Sequence, residues 1–299
     1  MFHIGVDAGA TKTHAAIMNR NRTILYEVST GPGNMAVDFF EAEKHIEKAI
    51  AKCLEFNGEY EYEYIVLGIA GIEKGNLKSE VAHTLKRKFA LPVLVLNDAE
   101  LAFYSLFQEK SGILAVAGTG SIVIGKHHED FLVVGGWGHL VGYEGSAYDV
   151  GIQALKTLIR EIDRGGVKSS LAKELVKTYQ LHGTAHIKSF IYSSSKAEIA
   201  ALANFVAQLA DAGNGNALDI LRQAGKRLAE QTSILARRLA LQPPIFVGCR
   251  GSLLEKNDVV QNVFQKTLEG SFGECSLLFS EKPVITGAQS AWFAEKGEK

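Results

Sequence analysis

Short apolar runs alternate along the chain with longer stretches in which apolar positions recur every three or four residues. This alternation predicts an α/β protein. The run Phe2 to Val6 predicts a strand, and the segment Asp7-Ala8-Gly9-Ala10-Thr11-Lys12-Thr13 a glycine-containing turn. Runs over Thr13 to Met18 and Thr23 to Val28, separated by polar Asn19–Arg22, complete a three-stranded meander. There follow a helix over Phe39 to Asn57, a strand over Tyr64 to Ile69 and a helix over Lys78 to Phe89. A strand over Pro92 to Leu96 then ends in Asn97-Asp98, and a helix opens at Ala99.

The same order restarts about 110 positions later. Strand Ile113 to Val116 meets the turn Ala117-Gly118-Thr119-Gly120-Ser121. Strand Ile122 to Lys126, polar His127-His128-Glu129-Asp130 and strand Phe131 to Gly135 repeat the meander. A long helical region, about 150–240, separates this meander from the strand Pro244 to Val247, which ends in Gly248-Cys249-Arg250-Gly251. A helix, the strand Cys275 to Phe279 and a last helix near Gly287 close the pattern. The expectation is two similar lobes, 1–112 and 113–299, the second carrying a large helical insertion. If the lobes face one another, the two glycine-rich turns meet across one interdomain cleft, the usual home of a ligand.

Composition narrows the function. Of 299 residues 46% are hydrophobic and 22% charged, with a formal net charge of −1. There is no basic excess of the kind that grips nucleic acid, and Lys86-Arg87-Lys88 and Arg237-Arg238 fall on solvated helix faces. No apolar run reaches the roughly 20 residues of a membrane helix, and no signal-peptide pattern precedes the first strand. A cytoplasmic protein without nucleic-acid or membrane partners is expected. Cys53, Cys249 and Cys275 are too widely spaced for a disulfide framework or a single-chain zinc site.

The turn at 7–13 has the chemistry a nucleotide phosphate needs. Small residues such as Gly9 let backbone N–H groups approach oxygens closely. Thr11 and Thr13 offer hydroxyls, Lys12 a charge, and Asp7 a carboxylate for Mg²⁺. Thr119 and Gly120 repeat the composition in the second turn, without the carboxylate. Gly120 to Lys126 matches the start of a P-loop, but His127 replaces the required Ser/Thr and the segment reads as strand. Asp98, at a strand end where α/β sites gather, is a natural helix N-cap and also a candidate general base for an acceptor hydroxyl.

Taken in order, 7–13, Gly31-Pro32-Gly33-Asn34, Asn97-Asp98-Ala99, 118–121, Gly135-Gly136-Trp137-Gly138, Glu144-Gly145-Ser146-Ala147, 248–251 and Thr286-Gly287-Ala288 resemble the N-acetylglucosamine kinases of the BadF/BadG/BcrA/BcrD ATPase group. That group lies within the acetate kinase, hexokinase, heat-shock-protein and actin superfamily. The resemblance implies an α/β fold of two ribonuclease H-like lobes, each βββαβαβα. It implies an ATP- and Mg²⁺-dependent kinase acting on the 6-hydroxyl of an amino sugar, N-acetylglucosamine or a close relative. Asp7 would hold the metal. Gly9, Thr11, Lys12, Thr13, Thr119 and Gly120 would hold phosphates, and Gly248 and Gly251 would lie against the adenosine. Asn34, Ser121, Gly136, Trp137, Tyr143 and Glu144 would contact the sugar, with Asp98 as base. Closure of the lobes on the sugar is expected to align its hydroxyl with the γ-phosphate, and helices of the insertion to pair subunits in a homodimer.

Two positions depart from the group. Tyr143 stands where these kinases usually carry Asp, and Gly215-Asn216 where they often show Gly-Asp. The tyrosine leaves room for a different amino sugar. Two rival readings share the ATP lobes: an activator of CoA-ester dehydratases, whose iron–sulfur cluster needs closely placed cysteines, and a non-catalytic ATP- or sugar-binding regulator.

Overall fold

The structure, a computed structural model, describes residues 1–56, 60–128 and 130–296; the expected helix end at Asn57 and turn residue Glu129 lie outside them. The first sheet is built from β1 (Phe2–Ala8), β2 (Thr13–Asn19) and β3 (Ile24–Thr30), then α1 (Phe39–Phe56), β4 (Tyr62–Ile69), α2 (Leu77–Phe89), β5 (Val93–Asn97) and α3 (Asp98–Phe107). Its strand order is β3-β2-β1-β4-β5. β1 and β4 are central and buried on both faces, which explains their nearly continuous apolar runs, whereas β3 alternates half-buried and exposed positions as an edge strand does. Ile46, Ile50 and Cys53 of α1 and Val81 and Leu85 of α2 pack with Ile4, Val6, Ile65 and Leu67 of the sheet.

The second sheet repeats the plan with β6 (Gly112–Ala117), β7 (Ser121–His127) and β8 (Asp130–Gly135). Five helices follow: α4 (Ala147–Asp163), α5 (Ser170–Tyr179), α6 (Thr184–Ser193), α7 (Lys196–Asp211) and α8 (Gly215–Arg238). Then come β9 (Ile245–Arg250), α9 (Ser252–Lys256), α10 (Asp258–Phe272) and β10 (Cys275–Leu278). Read from β8, the order β8-β7-β6-β9-β10 is that of the first sheet. The five-helix block stands where the first unit has α1 alone. Small residues let α4, α7 and α8 approach closely; a Cβ on Gly151 would lie 2.2 Å from the Ile199 carbonyl oxygen.

The chain divides into two compact units, Met1–Ser111 with Ser280–Lys299, and Gly112–Phe279. By this division the segment after Phe279 groups with the first unit and not, as expected, with the second. A 3₁₀ turn (Val284–Gly287) and α11 (Ala288–Lys296) return to the first sheet. The reason is a flat patch on β1: a Cβ on Gly5 would meet the Ile285 carbonyl oxygen at 2.9 Å and the Ala288 Cβ at 3.2 Å. Trp292 stacks on Tyr64 of β4, ring centroids 4.3 Å apart, and Arg22 Nε donates to Gln289 Oε1 at 3.0 Å.

On the other side of Tyr64 lies His3, 1% exposed, its ring 5.1 Å from the tyrosine and its Nε2 buried without a partner. Burial lowers its pKa from 6.5 to about 4, with Glu63 opposing the shift and Arg22 adding to it. The unfolded chain therefore takes up a proton at His3 that the folded chain refuses. The resulting stability is present above pH 6.5 and lost as pH falls toward 4, up to about 3 kcal/mol. Denaturation midpoints between pH 7 and 4 should fall less in His3→Phe, which keeps the stacking, than in the parent; parallel profiles would refute the assignment.

Candidate active site

In the first unit the glycine-rich turn is tied to two neighbouring loops. Gly9 N donates to Lys12 O at 3.0 Å, Gly33 N to Gly9 O at 2.9 Å, Ala70 N to Ala8 O at 2.9 Å and Met35 N to Ala70 O at 3.0 Å. Gly33 is required by this seam, because a Cβ there would lie 2.6 Å from that of Ala8 and 2.5 Å from Thr13 Oγ1. Thr11 and Lys12 project into solvent, while Asp7 is half-buried near the end of β1.

The parallel pairings set β1, β4 and β5 level at this edge, with Ala8 opposite Ile69 and Ile69 opposite Asn97. At about 4.8 Å per strand, the end of β1 lies about 10 Å from the start of α3. Asp7 and Asp98 thus share one edge of one sheet. Asn34 joins them: its Oδ1 accepts from Ala36 N at 3.0 Å and lies 2.6 Å from where a Cβ on Gly71 would be. Asn34 also lines a cavity of about 320 Å³ with Ala10, Pro32, Asp38 and His45.

Asp98 is not the helix N-cap. That role falls to Asn97, whose side chain accepts from Ala99 N at 2.8 Å while Glu100 Oε2 accepts from Asn97 N at 2.8 Å, a complete capping box. Asn97 Nδ2 donates to Glu73, and Lys78 Nζ donates to Glu100 at 2.7 Å. Asp98 is the first helical residue, half-buried. Burial raises its pKa, the Ala99 N–H opposes that, and the Glu73 carboxylate adds to it. A carboxylate made more basic in this way is a better proton acceptor near neutral pH.

In the second unit the turn is closed by Gly118 N donating to Gly120 O at 2.9 Å and is fixed to α4 by Ala147 N donating to Gly118 O at 2.9 Å. Gly251, φ +94°, lies directly on it; a Cβ there would be 2.4 Å from the Ala117 carbonyl carbon and 2.7 Å from Gly118 N. The Tyr143 ring, on a residue with φ +68°, covers Gly120, where a Cβ would lie 2.6 Å from Cζ. Trp137 is 80% exposed on the loop after β8, flanked by Gly136 and Gly138 at positive φ. Among the described residues no group of three metal-ligating side chains occurs.

The profile of the BadF/BadG/BcrA/BcrD ATPase family matches residues 4–292. The chain belongs to the BadF/BadG/BcrA/BcrD ATPase family. An N-acetylmuramic acid/N-acetylglucosamine kinase of Clostridium acetobutylicum is 28% identical over 293 residues, covering 95% of this chain and 96% of that protein. An N-acetyl-D-glucosamine kinase of Dictyostelium discoideum is 25% identical over 301 residues, covering 92% of each. The solved structure of a putative N-acetylglucosamine kinase from Chromobacterium violaceum shares the fold, with a TM-score of 0.76 at 20% identity over 96% of this chain and 97% of that one. The resemblance in the motifs is borne out at the level of family and fold.

Within this family member, several expected contacts are placed differently. Thr13 is fully buried, its hydroxyl against Gly33 rather than on the turn surface. Ser121 is 2% exposed and its Oγ donates to the Glu144 carbonyl at 2.8 Å, so it builds the site loop instead of facing a ligand. Gly248 sits inside the sheet, paired with Leu114 and Leu278, and only Gly251 reaches the turn. The three cysteines are core residues; burial pushes the Cys53 thiol up to about 12, the Cys275 thiol up to about 11 and the Cys249 thiol up as well. Such thiols are poor thiolate ligands.

Sequence reasoning missed the role of α8. Arg227 donates to both carboxylate oxygens of Asp149, at 2.9 and 2.7 Å, and Asp149 Oδ2 accepts from Gly145 N at 2.9 Å. Gln231 Nε2 donates to Glu144 Oε2 at 3.2 Å. The loop 143–146 is thereby held from a helix some 80 residues later in the chain, a separation that leaves no local pattern. Removing Asp149 leaves Arg227 unpaired and the Gly145 N–H unanchored. Asp149→Ala should cost about 1–3 kcal/mol in urea denaturation, against about 0–1 for Asp219→Ala, which breaks only the exposed pair with Arg222. Equal losses would contradict a structural role for the Asp149 network.

Proposed function

We propose that the chain transfers the γ-phosphate of ATP to the 6-hydroxyl of an amino sugar, N-acetylglucosamine or a close relative. It is an ATP-dependent sugar kinase, in keeping with its family and with relatives named as kinases of such sugars. The observation that carries the finer reading is Asp98, made more basic by burial and set on the same sheet edge as the glycine-rich turn and Asp7.

On this reading Thr11, Lys12 and the N–H groups around Gly9 hold phosphate in the first unit, and Thr119 and Gly120 in the second. Gly251 lets the backbone approach the nucleotide. The residues fit Mg²⁺, which is bound through one or two carboxylates with phosphates and waters completing its shell; Asp7 would hold it, and when bound it supplies charge neutralisation on the transferred group. Asp98 accepts the proton of the 6-hydroxyl and orients its oxygen. Asn34, Trp137, Gly136, Tyr143 and Glu144 are the sugar-contacting groups, with the Trp137 indole as a platform for the C–H face of the ring. A cytoplasmic homodimer is the expected form, and among the described residues no helix is long and apolar enough to cross a membrane.

ATP consumption measured with N-acetylglucosamine, glucosamine, N-acetylmannosamine, N-acetylmuramic acid and glucose should accelerate with at least one amino sugar. Asp98→Asn should lower that turnover by about 10²- to 10⁴-fold while nucleotide affinity stays within about threefold. No acceleration by any sugar would defeat the kinase reading, and near-full turnover by Asp98→Asn would defeat the assignment of the base.

A further inference from the structure

Loop 135–146 and α8 border an open cavity of about 400 Å³ within the second unit, lined by Gly135 and Trp137, by Glu144, and by Arg227, Glu230, Gln231 and Ile234 of α8. It contains two of the sugar-contacting groups, Trp137 and Glu144, and four residues contributed by the insertion. We propose that this cavity admits an uncharged substituent of the sugar, such as an acetamido group, and rejects one that carries a carboxylate. The inference rests on the sugar-kinase reading and narrows its substrate class.

Glu144 and Glu230 present exposed carboxylates to the cavity. The cation in its wall, Arg227, is paired through Nη1 with both oxygens of Asp149, whose carboxylate balances its charge. With that charge balanced, the two glutamates leave the lining electronegative, and an anionic substituent would enter beside two like charges.

Gln231 Nε2 holds Glu144 Oε2 in the wall, and Gln231 Oε1 is buried against Gly135. A Cβ at Gly135 would lie 2.6 Å from that oxygen, and Gly135 has φ +76°, so the glycine is what lets the glutamine reach the loop. Carboxylate oxygens fixed in this way accept from N–H and O–H groups, while the Trp137 indole and Ile234 offer apolar surface for a methyl group. The volume has room for a lactyl ether as well as an acetamido group, so charge rather than size is the discriminating property.

The test compares N-acetylglucosamine, N-acetylmuramic acid and the amide of N-acetylmuramic acid, which has the bulk of the acid without its charge. Both kcat/KM and calorimetric affinity are measured, in the parent and in Glu230→Gln. The amide is expected within about threefold of N-acetylglucosamine and the acid at least about tenfold weaker, and Glu230→Gln should narrow the gap between acid and amide about threefold or more. An acid used as well as the amide, two muramic derivatives equally poor, a variant that moves both alike, or a failure of all three sugars to bind would overturn the proposal. Retention of the binding order without phosphorylation of any sugar would sustain the cavity assignment and remove the kinase reading instead.

Discussion

Two close approaches of a glycine to a turn underlie the candidate site. In the first unit Gly33 lies against Ala8 and Thr13, and in the second Gly251 lies against Ala117 and Gly118. Any side chain at either glycine would push a loop away from the turn it closes. With these contacts made, turn N–H and C=O groups are committed to each other, so the remaining amides and hydroxyls are held in place before any ligand arrives. Such preorganisation is what electrostatic stabilisation of a transferring phosphoryl group demands. The level ends of β1, β4 and β5 then fix Asp98 on the edge where the first turn sits.

Much of this was legible in the sequence. Apolar runs of four to six residues, bounded by glycine and asparagine, mark buried central strands, and the doubled order of elements anticipates two sheets of identical topology. The features that escaped prediction depend on contacts between residues distant in sequence. The last helix follows β10 in the chain, yet Gly5 offers it a flat seat on β1. Asn97 and Asp98 are equally good capping residues by type, and only the reciprocal contact with Glu100 assigns the cap to Asn97. Thr13 and Ser121 look like exposed turn hydroxyls, but the strand register turns both inward. Gly248 and Gly251 share one motif, yet three residues separate the sheet interior from its edge.

The helical insertion supports the candidate site from a distance in sequence. Its alanines explain close packing, but its polar residues Arg227 and Gln231 hold the loop that bears Tyr143 and Glu144. Tyr143, which departs from the usual aspartate, covers Gly120 instead of offering a carboxylate. On the proposed reading, two long-range contacts stand in for a local motif in sugar recognition: an aromatic ring over the second turn, and a helix-borne network behind the loop.

The central claim, phosphoryl transfer onto a sugar 6-oxygen from a site containing Asp98, is tested most directly by phosphorus–proton correlated NMR of the reaction product with N-acetylglucosamine or whichever amino sugar accelerates ATP consumption. A single phosphate coupled to the two C6 protons, formed only when sugar is present, is the expected result. A phosphate coupled to the anomeric proton, or release of free phosphate at the same rate with and without sugar, would contradict it.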